Sequence, residues 1–288
     1  KEVFPVGSFE LKVAWVPVSA IPQAKQSLYY TTTASLSTNA GKSFTKTKVA
    51  LIGMHVVGIV ENHPEFIWAT FEHQSNVPDC AKAVRNFGWS FTSPACAAAL
   101  NKGDQAAISK CQFNNAANHQ ALQGAPTEIC RVYPDGSAPA DLKYSENVLA
   151  IRALNQGVQP LLQGQFAVLA NYFNVGALWL SDPAKGSAFP SAPGTGQSQN
   201  PANNQRGSLR LANTVAETVH QNVDFSENFV SNCFGCHQYT GSSNPAKNTT
   251  SGSLSHIFDD IVAGQGLCLD TALGVIAAKD ANNNCSQT

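Results

Sequence analysis

The sequence predicts a mixed α+β fold, rich in β structure, in which an antiparallel sheet in the N-terminal part is followed by short helices and long loops around a C-terminal site. The first third of the chain contains four apolar or β-branched runs typical of strands, at residues 9–18, 27–36, 48–60 and 66–73. After residue 80 the chain is rich in Ala, Asn, Pro, Gly and Ser and has little periodicity, which is typical of loops and short helices.

The two longest strand candidates follow one another closely. Residues 48–60 and 66–73 are joined by Asn62-His63-Pro64-Glu65, in which Asn and Pro are typical turn residues. This arrangement predicts an antiparallel hairpin. Further along the chain, short helices are expected at residues 146–170, 226–236 and 253–262, and a polar loop is expected at residues 181–205.

Charge and composition argue against several kinds of partner. The 288 residues carry a formal net charge of −1 and only 13% charged side chains, without a stripe of Lys or Arg. There is therefore no electrostatic reason to expect a nucleic acid or an anionic membrane as a partner. The longest apolar run, residues 49–60, is too short to span a bilayer and contains His55. No apolar leader stands at Lys1, and we interpret the chain as a mature protein whose export signal has been removed.

The eight cysteines indicate disulfides and an oxidising compartment. Four of them lie between residues 80 and 130, and we predict a nested pattern in which Cys96 pairs with Cys111 and Cys80 pairs with Cys130. Four cysteines allow three pairings, so the nested one is a choice among them. A third disulfide is expected to join Cys268 to Cys285. The remaining two cysteines belong to a different motif.

Cys233-Phe234-Gly235-Cys236-His237 matches the C-x-x-C-H pattern of covalent haem attachment. The two thiols add to the two vinyl groups of haem, and the following imidazole becomes an axial ligand to the iron. A thioredoxin-like C-x-x-C pair is the alternative, but such a pair stands at the start of a helix in a βαβ unit. Here the pair is expected to end a short helix, and a histidine follows it directly. The sequence thus predicts a C-terminal haem c site with one covalent haem.

The position of the motif excludes the commonest arrangement of c-type cytochromes. Small cytochromes c carry the motif near the N-terminus and a Met ligand downstream, whereas the only Met here is Met54. Four-helix cytochromes place the motif near the C-terminus, but their helical pattern does not fit the strand-like first third. The haem is therefore expected to be held by a fold built largely from residues that precede it.

His55 is the first candidate for the sixth iron ligand, because a polar ring in the apolar run 51–58 needs a partner. In the predicted hairpin it lies opposite Glu72 or His73, and the alternative is a core histidine bonded to Glu72 or to a carbonyl. His73 is the runner-up. The other candidates, Met54, His256 and an open position, remain possible.

Several segments together resemble a known family. They are Gly53-Met54-His55-Val56-Val57-Gly58, Pro64-Glu65-Phe66-Ile67-Trp68-Ala69-Thr70-Phe71-Glu72-His73, Leu211-Ala212-Asn213-Thr214-Val215-Ala216-Glu217-Thr218 and the C-x-x-C-H motif. This set is similar to exported bacterial cytochrome c family proteins, in which a G-[LM]-H strand precedes W-[AS]-T-F-E-[HQ] and one haem motif follows. Since the last position can be Gln in that family, the resemblance favours His55 over His73. It implies an exported monohaem cytochrome and no particular activity.

These observations predict one haem-binding domain over residues 1–288, with a disulfide-stapled loop excursion at 80–140 and a haem-attachment segment at 206–288. The predicted function is electron transfer in the periplasm or outside the cell, with a redox protein or a small-molecule donor or acceptor as partner. The oligomeric state is not indicated.

The alternative function is a haem enzyme of the peroxidase or oxidase type, or a gas sensor, with an open distal position. His55, Glu72 and His73 would then supply an acid–base pair, and Trp68 or Trp89 would carry oxidising equivalents. The alternative role for Trp68 is an ordinary side chain of the hydrophobic core. A third hypothesis for the protein is a cell-surface module in which the haem is mainly structural.

Overall fold

A six-stranded antiparallel sheet forms the centre of the N-terminal part, which confirms the predicted fold class. The computed structural model describes residues 5–37, 39, 42–81, 88–114, 128–185, 204–218, 221, 232–237, 267–269 and 276–278. The strands of the sheet are β1 (Phe9–Pro17), β2 (Thr31–Leu36), β3 (Thr45–Val60), β4 (His63–His73), β5 (Tyr172–Leu180) and β6 (Gln205–Gly207). A separate two-stranded sheet pairs β7 (Leu267–Leu269) with β8 (Ile276–Ala278).

The long strand β3 organises the sheet. The strand order is β1-β3-β4-β5-β6, and β2 also pairs with β3. Ala50 of β3 pairs with Val16 of β1 and with Thr31 of β2, so these two strands lie on opposite edges of β3. β2 and β4 therefore pair with the same edge of β3. β4 pairs with the part of β3 near the hairpin turn, and β2 pairs with the part farther from it.

The predicted hairpin is confirmed, but its register differs from the expected one. β3 and β4 are joined at Glu61 and Asn62, and Asn62 has a φ of 65°, a conformation that Asn adopts more readily than most residues. A bulge between Gly58 and Val60 shifts the pairing. His55 consequently pairs with Thr70, and neither Glu72 nor His73 lies opposite it. The four-residue connection assumed from the sequence was too long.

The two faces of the sheet bury different sets of side chains, because side chains alternate along a strand. Trp68, Thr70 and Glu72 of β4 lie on one face, here called the α4 face, and His73 lies on the other. On the α4 face, their partners in β3 are Val57, His55 and Gly53. An apolar cluster on this face, the α4-face cluster, contains Val57, Ile59, Phe66, Trp68, Val175, Leu178, Leu180, Leu209, Leu211 and Phe234.

Four α-helices of the described residues accompany the sheet: α1 (Pro94–Lys102), α2 (Gln105–Cys111), α3 (Tyr144–Val158) and α4 (Cys233–Cys236). The side chains of Ser93 and Asp104 cap α1 and α2 by accepting hydrogen bonds from backbone N–H groups of the first turn. The segment 80–140, expected to be a loop-rich excursion, contains two short helices in its described part. None of the helices in the described ranges could span a bilayer.

Both disulfides of the nested pattern are present. Cys80 is bonded to Cys130, and Cys96 to Cys111. These two bonds fit an oxidising compartment outside the cytoplasm. The predicted helix at 253–262, Cys285 of the predicted Cys268–Cys285 disulfide and most of the predicted loop at 181–205 lie outside the described residues.

Candidate functional site

The C-x-x-C-H motif forms a one-turn helix with a side-chain cap. Asn232 precedes α4 in an extended conformation, and its Oδ1 accepts a hydrogen bond from the Phe234 N–H at 3.0 Å. Its Nδ2 donates to Gln205 Oε1 at 2.9 Å and to the Leu209 carbonyl at 3.0 Å. Asn232 therefore ties α4 to β6 and to the chain that follows β6.

The helix at the motif is shorter than expected. A helix that ended at the second cysteine was predicted, but the extended Asn232 makes Cys233 the first helical residue. Residues 226–231 lie outside the described part. The position of the two cysteines in their helix therefore does not distinguish this motif from a thioredoxin-like C-x-x-C pair. The sheet does separate them, because all strand pairings of the described sheet are antiparallel and a βαβ unit needs parallel ones.

Phe234 anchors α4 to the sheet. Its side chain is 1% exposed and belongs to the α4-face cluster, and partly buried Cys233 packs against the same cluster. The ring of Phe234 meets Trp68 edge-on, with centroids 6.4 Å apart. Burial of a phenylalanine side chain contributes roughly 1.5–3 kcal/mol. The motif is therefore part of the hydrophobic core.

His237 lies against Trp68. The two ring centroids are 4.6 Å apart, and the ring planes are inclined by 31°. Trp68 itself is 7% exposed, and its Nε1–H is buried with no hydrogen-bond partner among the described residues. A buried donor without an acceptor costs roughly 1–3 kcal/mol, so this N–H calls for a physical explanation.

His55 shares the α4 face with Trp68. Its Nδ1 lies 2.7 Å from Thr70 Oγ1, and its Nε2 lies 3.0 Å from Glu217 Oε1. Because His55 and Val57 are two residues apart on β3 and Val57 pairs with Trp68, the fold brings His55 and His237 to the same side of the sheet. The first candidate for the sixth ligand thus lies on the same face of the sheet as the motif.

Glu217 forms an ion pair with His55 and a second one with Lys12, whose Nζ lies 3.3 Å from Oε1. Its other oxygen accepts a hydrogen bond from the Asn213 N–H at 3.0 Å. Burial alone would raise the pKa of Glu217, but the hydrogen bond and charge of His55, together with Asn213 and Lys12, outweigh burial and hold the pKa well below its usual range. Glu217 is therefore a carboxylate at neutral pH.

The segment 208–218 lies directly on the strands. A Cβ at Gly53 would collide with the side chain of Asn213, and a Cβ at Gly176 would collide with Ser208. Asn213 also donates through Nδ2 to the Phe71 carbonyl at 3.2 Å, and the Thr214 N–H donates to Glu72. The two glycines thus allow the close approach that brings Glu217 within reach of His55.

A buried ion-pair chain joins the α4 face to the disulfide-bonded excursion. Glu72 is fully buried, and its Oε2 lies 2.9 Å from Arg131 Nη2. Arg131 also contacts Asp79, with Nη1 2.7 Å from Oδ1. Cys80 and Cys130, which form a disulfide, are the chain neighbours of Asp79 and Arg131. The disulfide therefore holds Asp79 and Arg131 close together, and these are the two residues that form the ion-pair chain with Glu72.

His73 lies on the opposite face from His237. Its Nε2 is 3.0 Å from the Leu28 carbonyl, and its Nδ1 accepts a hydrogen bond from the Ser75 N–H at 3.0 Å. Tyr29 stacks on the ring at 3.6 Å. Burial lowers the pKa of His73 to about 4, against the smaller raising effect of the Leu28 carbonyl. The runner-up ligand is thus engaged through both ring nitrogens, and the sheet separates it from the motif.

The other candidates lie elsewhere. Met54 is adjacent to His55 on β3 and hence points to the face of His73. His63 is paired with Glu65, with Nδ1 2.9 Å from Oε1. His119, His220 and His256 lie outside the described residues. Within the described ranges, no three His, Cys, Asp or Glu side chains come together as a cage for a bare metal ion.

Thr70, Arg131 and Glu217 were missed from the sequence. The contact of Thr70 depends on the hairpin register, and that of Glu217 depends on how a segment without regular structure crosses the sheet. The sequence did contain a signal for the contact between Arg131 and Glu72. Arg131 stands beside a cysteine, and Glu72 stands in an apolar strand. Opposite charges at two such positions need partners when they are buried.

Comparison with known proteins found no matching family model, no matching curated protein and no matching solved structure. The interpretation of the site therefore depends on its residues and their geometry.

Proposed function

We propose that this chain is an exported monohaem c-type cytochrome that transfers electrons, and that it belongs with the bacterial cytochrome c family that four of its segments resemble. The observation that carries the proposal is the anchoring of the C-x-x-C-H motif. Phe234 and Asn232 fix this motif on the core, and His237 lies against a buried tryptophan.

The residues around α4 suit a covalently bound haem. The motif supplies two thiols and one imidazole at the required spacing, and the α4-face cluster supplies an apolar wall. The buried N–H of Trp68 lacks an acceptor among the described residues, and haem carries carboxylates on its edge. When bound, haem supplies one-electron chemistry by alternating between its ferric and ferrous states.

In this proposal Cys233 and Cys236 hold the haem through thioether bonds, and His237 is the proximal ligand. His55 is the proposed sixth ligand. Thr70 holds the Nδ1 of His55, as hydrogen-bond partners commonly do for metal-binding histidines, and Nε2, which now faces Glu217, would be the atom that holds the iron. Two protein ligands leave no position for a substrate, which favours electron transfer.

The proposed location is the periplasm or the cell exterior, where the two disulfides are stable. The proposed partner is a redox protein, or a small-molecule donor or acceptor, that meets an exposed edge of the haem. Such encounters bury little surface and are short-lived.

The first test is to export the full chain in a bacterium that attaches haem to proteins, and to measure haem after denaturation. We expect one covalent haem per chain. The Cys233→Ser/Cys236→Ser double variant is expected to lose all covalent haem, since both thioether bonds are gone. The Cys96→Ala/Cys111→Ala variant is the control, because it also removes two cysteines but none from the motif. Absence of covalent haem in the wild-type chain, or its retention in the double variant, would contradict the proposal.

The optical spectrum of the same preparation separates electron transfer from the alternative. A low-spin spectrum in both oxidation states that CO does not change is expected for iron with two protein ligands.

One observation favours a haem enzyme as the second candidate. His55 and Glu217 lie 3.0 Å apart on the α4 face, and the Glu217 side chain is 22% exposed. Such a pair beside an open position could move protons to or from a peroxide. A high-spin spectrum, CO binding and turnover of peroxide with a reduced donor would support this candidate, and absence of all three would exclude it.

A further inference from the structure

Trp68 occupies a central position on the α4 face. It pairs with Val57 of β3 and Leu178 of β5, so its backbone is fixed in the middle of the sheet. Its ring contacts Phe234 and His237, the second and fifth residues of the motif.

The indole of Trp68 combines good packing with an unsatisfied polar atom. Its neighbours in the α4-face cluster are aliphatic or aromatic side chains, which offer no acceptor to Nε1–H. Tryptophan is normally buried where its N–H reaches a partner. Phenylalanine would pack at this position without that cost. The polar atom therefore points to an acceptor that is not among the described residues.

We infer that Trp68 is a positioning residue for the haem, and that its Nε1–H donates a hydrogen bond to a propionate oxygen. This inference rests on the proposed function. The propionates are the hydrogen-bond acceptors on the edge of an otherwise apolar macrocycle, so they are the part of the group that can satisfy the N–H. The face of the same indole lies against the imidazole of His237 and restricts its rotation.

The hydrogen bond has a consequence for the redox equilibrium. A propionate carries negative charge near the iron and stabilises the ferric state, and an N–H donor disperses part of that charge. Loss of the donor therefore favours the ferric state. We expect Trp68→Phe to shift the ferric-to-ferrous ratio roughly tenfold toward ferric, which corresponds to a midpoint potential lower by about 59 mV for one electron.

The experiment compares the haem-loaded wild type with Trp68→Phe and Trp89→Phe. Trp89 is a matched control because its Nε1 is also buried without a partner among the described residues, while it lies outside the α4-face cluster that holds the motif. Potentiometric titration is expected to show a lower potential for Trp68→Phe and an unchanged one for Trp89→Phe. An unchanged potential in Trp68→Phe, or an equal shift in both variants, would overturn the inference.

A second measurement needs no variant. The chain has four tryptophans, and their indole N–H resonances can be assigned by triple-resonance NMR in the ferrous wild-type protein. The Trp68 signal is expected downfield, as a hydrogen bond to a carboxylate requires, and slow to exchange with solvent. A Trp68 signal at the position of a free indole overturns the inference even if Trp68→Phe does not fold.

The outcomes also separate this inference from the proposed function. Covalent haem with an unbonded Trp68 N–H rejects the role of Trp68 alone. A chain that attaches no haem rejects both.

Discussion

At the scale of single residues, His55 allows two interpretations, as an iron ligand or as a buried histidine with two hydrogen-bond partners. Its Nδ1 is held by Thr70 in either case, whereas its Nε2 faces Glu217 and would have to leave it to bind iron. A histidine fixed at one nitrogen is oriented for a metal at the other. The same geometry also describes a buried histidine with two ordinary partners.

The variant His55→Ala distinguishes these interpretations. If His55 is the sixth ligand, the ferric spectrum is expected to change from low-spin to high-spin, and the ferrous protein is expected to bind CO, because the variant leaves the sixth position without a protein ligand. Glu217→Gln is the control, because it alters the same network without removing the imidazole. An unchanged low-spin spectrum in His55→Ala would remove His55 from the coordination sphere.

At the scale of elements, the Cys80–Cys130 disulfide connects the excursion to the sheet. It closes a loop with a sequence separation of 50, compared with 15 for Cys96–Cys111. It also flanks Arg131, whose guanidinium neutralises the buried carboxylate of Glu72. Burial lowers the pKa of Arg131, but the charges of Glu72 and Asp79 outweigh burial and raise it, so the pair stays ionised.

Removal of the two disulfides is therefore expected to have unequal effects. Chain entropy alone makes the longer loop more stabilising by about 1 kcal/mol. Displacement of Arg131 adds to this difference, since an unpaired buried charge costs roughly 3–5 kcal/mol. In urea unfolding we expect the loss in Cys80→Ala/Cys130→Ala to exceed that in Cys96→Ala/Cys111→Ala by more than the ~1 kcal/mol that chain entropy explains. A difference of ~1 kcal/mol or less would show that the disulfide does not support the ion-pair chain.

The elements differ in how far the sequence predicts them. The hairpin follows from a local pattern, namely β-branched runs around a turn. The nested disulfides are one of the three pairings that four cysteines allow, so the order of the cysteines restricts the pairing without determining it. The register of His55 does not follow from a local pattern, because the bulge between Gly58 and Val60 has no distinct composition. The cap by Asn232 and the docking of Phe234 depend on chain segments that are distant in sequence, and no local pattern reports such contacts.

At the scale of the whole molecule, buried ionisable groups make stability depend on pH. His73 is neutral in the folded protein down to a pKa of about 4, whereas a histidine in the unfolded chain takes up a proton near 6.5. Between these values the unfolded chain binds more protons, so acidification destabilises the fold. The pKa of Glu217 is lowered by folding, so its stabilising contribution is lost as the pH falls below about 4.5.

We expect the free energy of unfolding to fall in two stages as the pH is lowered. The stage between pH 6.5 and 4 belongs to His73 and amounts to at most about 3 kcal/mol. The variant His73→Gln should flatten this stage, and Glu217→Gln should leave it unchanged while it flattens the stage below it. Urea unfolding at a series of pH values measures both. A first stage of equal slope in His73→Gln would contradict the assignment.

The α4-face cluster also has a consequence for the order in which the molecule is made. Val57, Trp68 and Leu178 lie in strands that emerge early in synthesis, whereas Leu209, Leu211 and Phe234, which belong to the same cluster, emerge much later. The strands therefore spend an interval with one apolar face in water, when a chain is most prone to aggregate. The motif is among the last parts of the cluster to emerge, so the proposed attachment of haem has its opportunity after the motif emerges and before Phe234 docks on the strands.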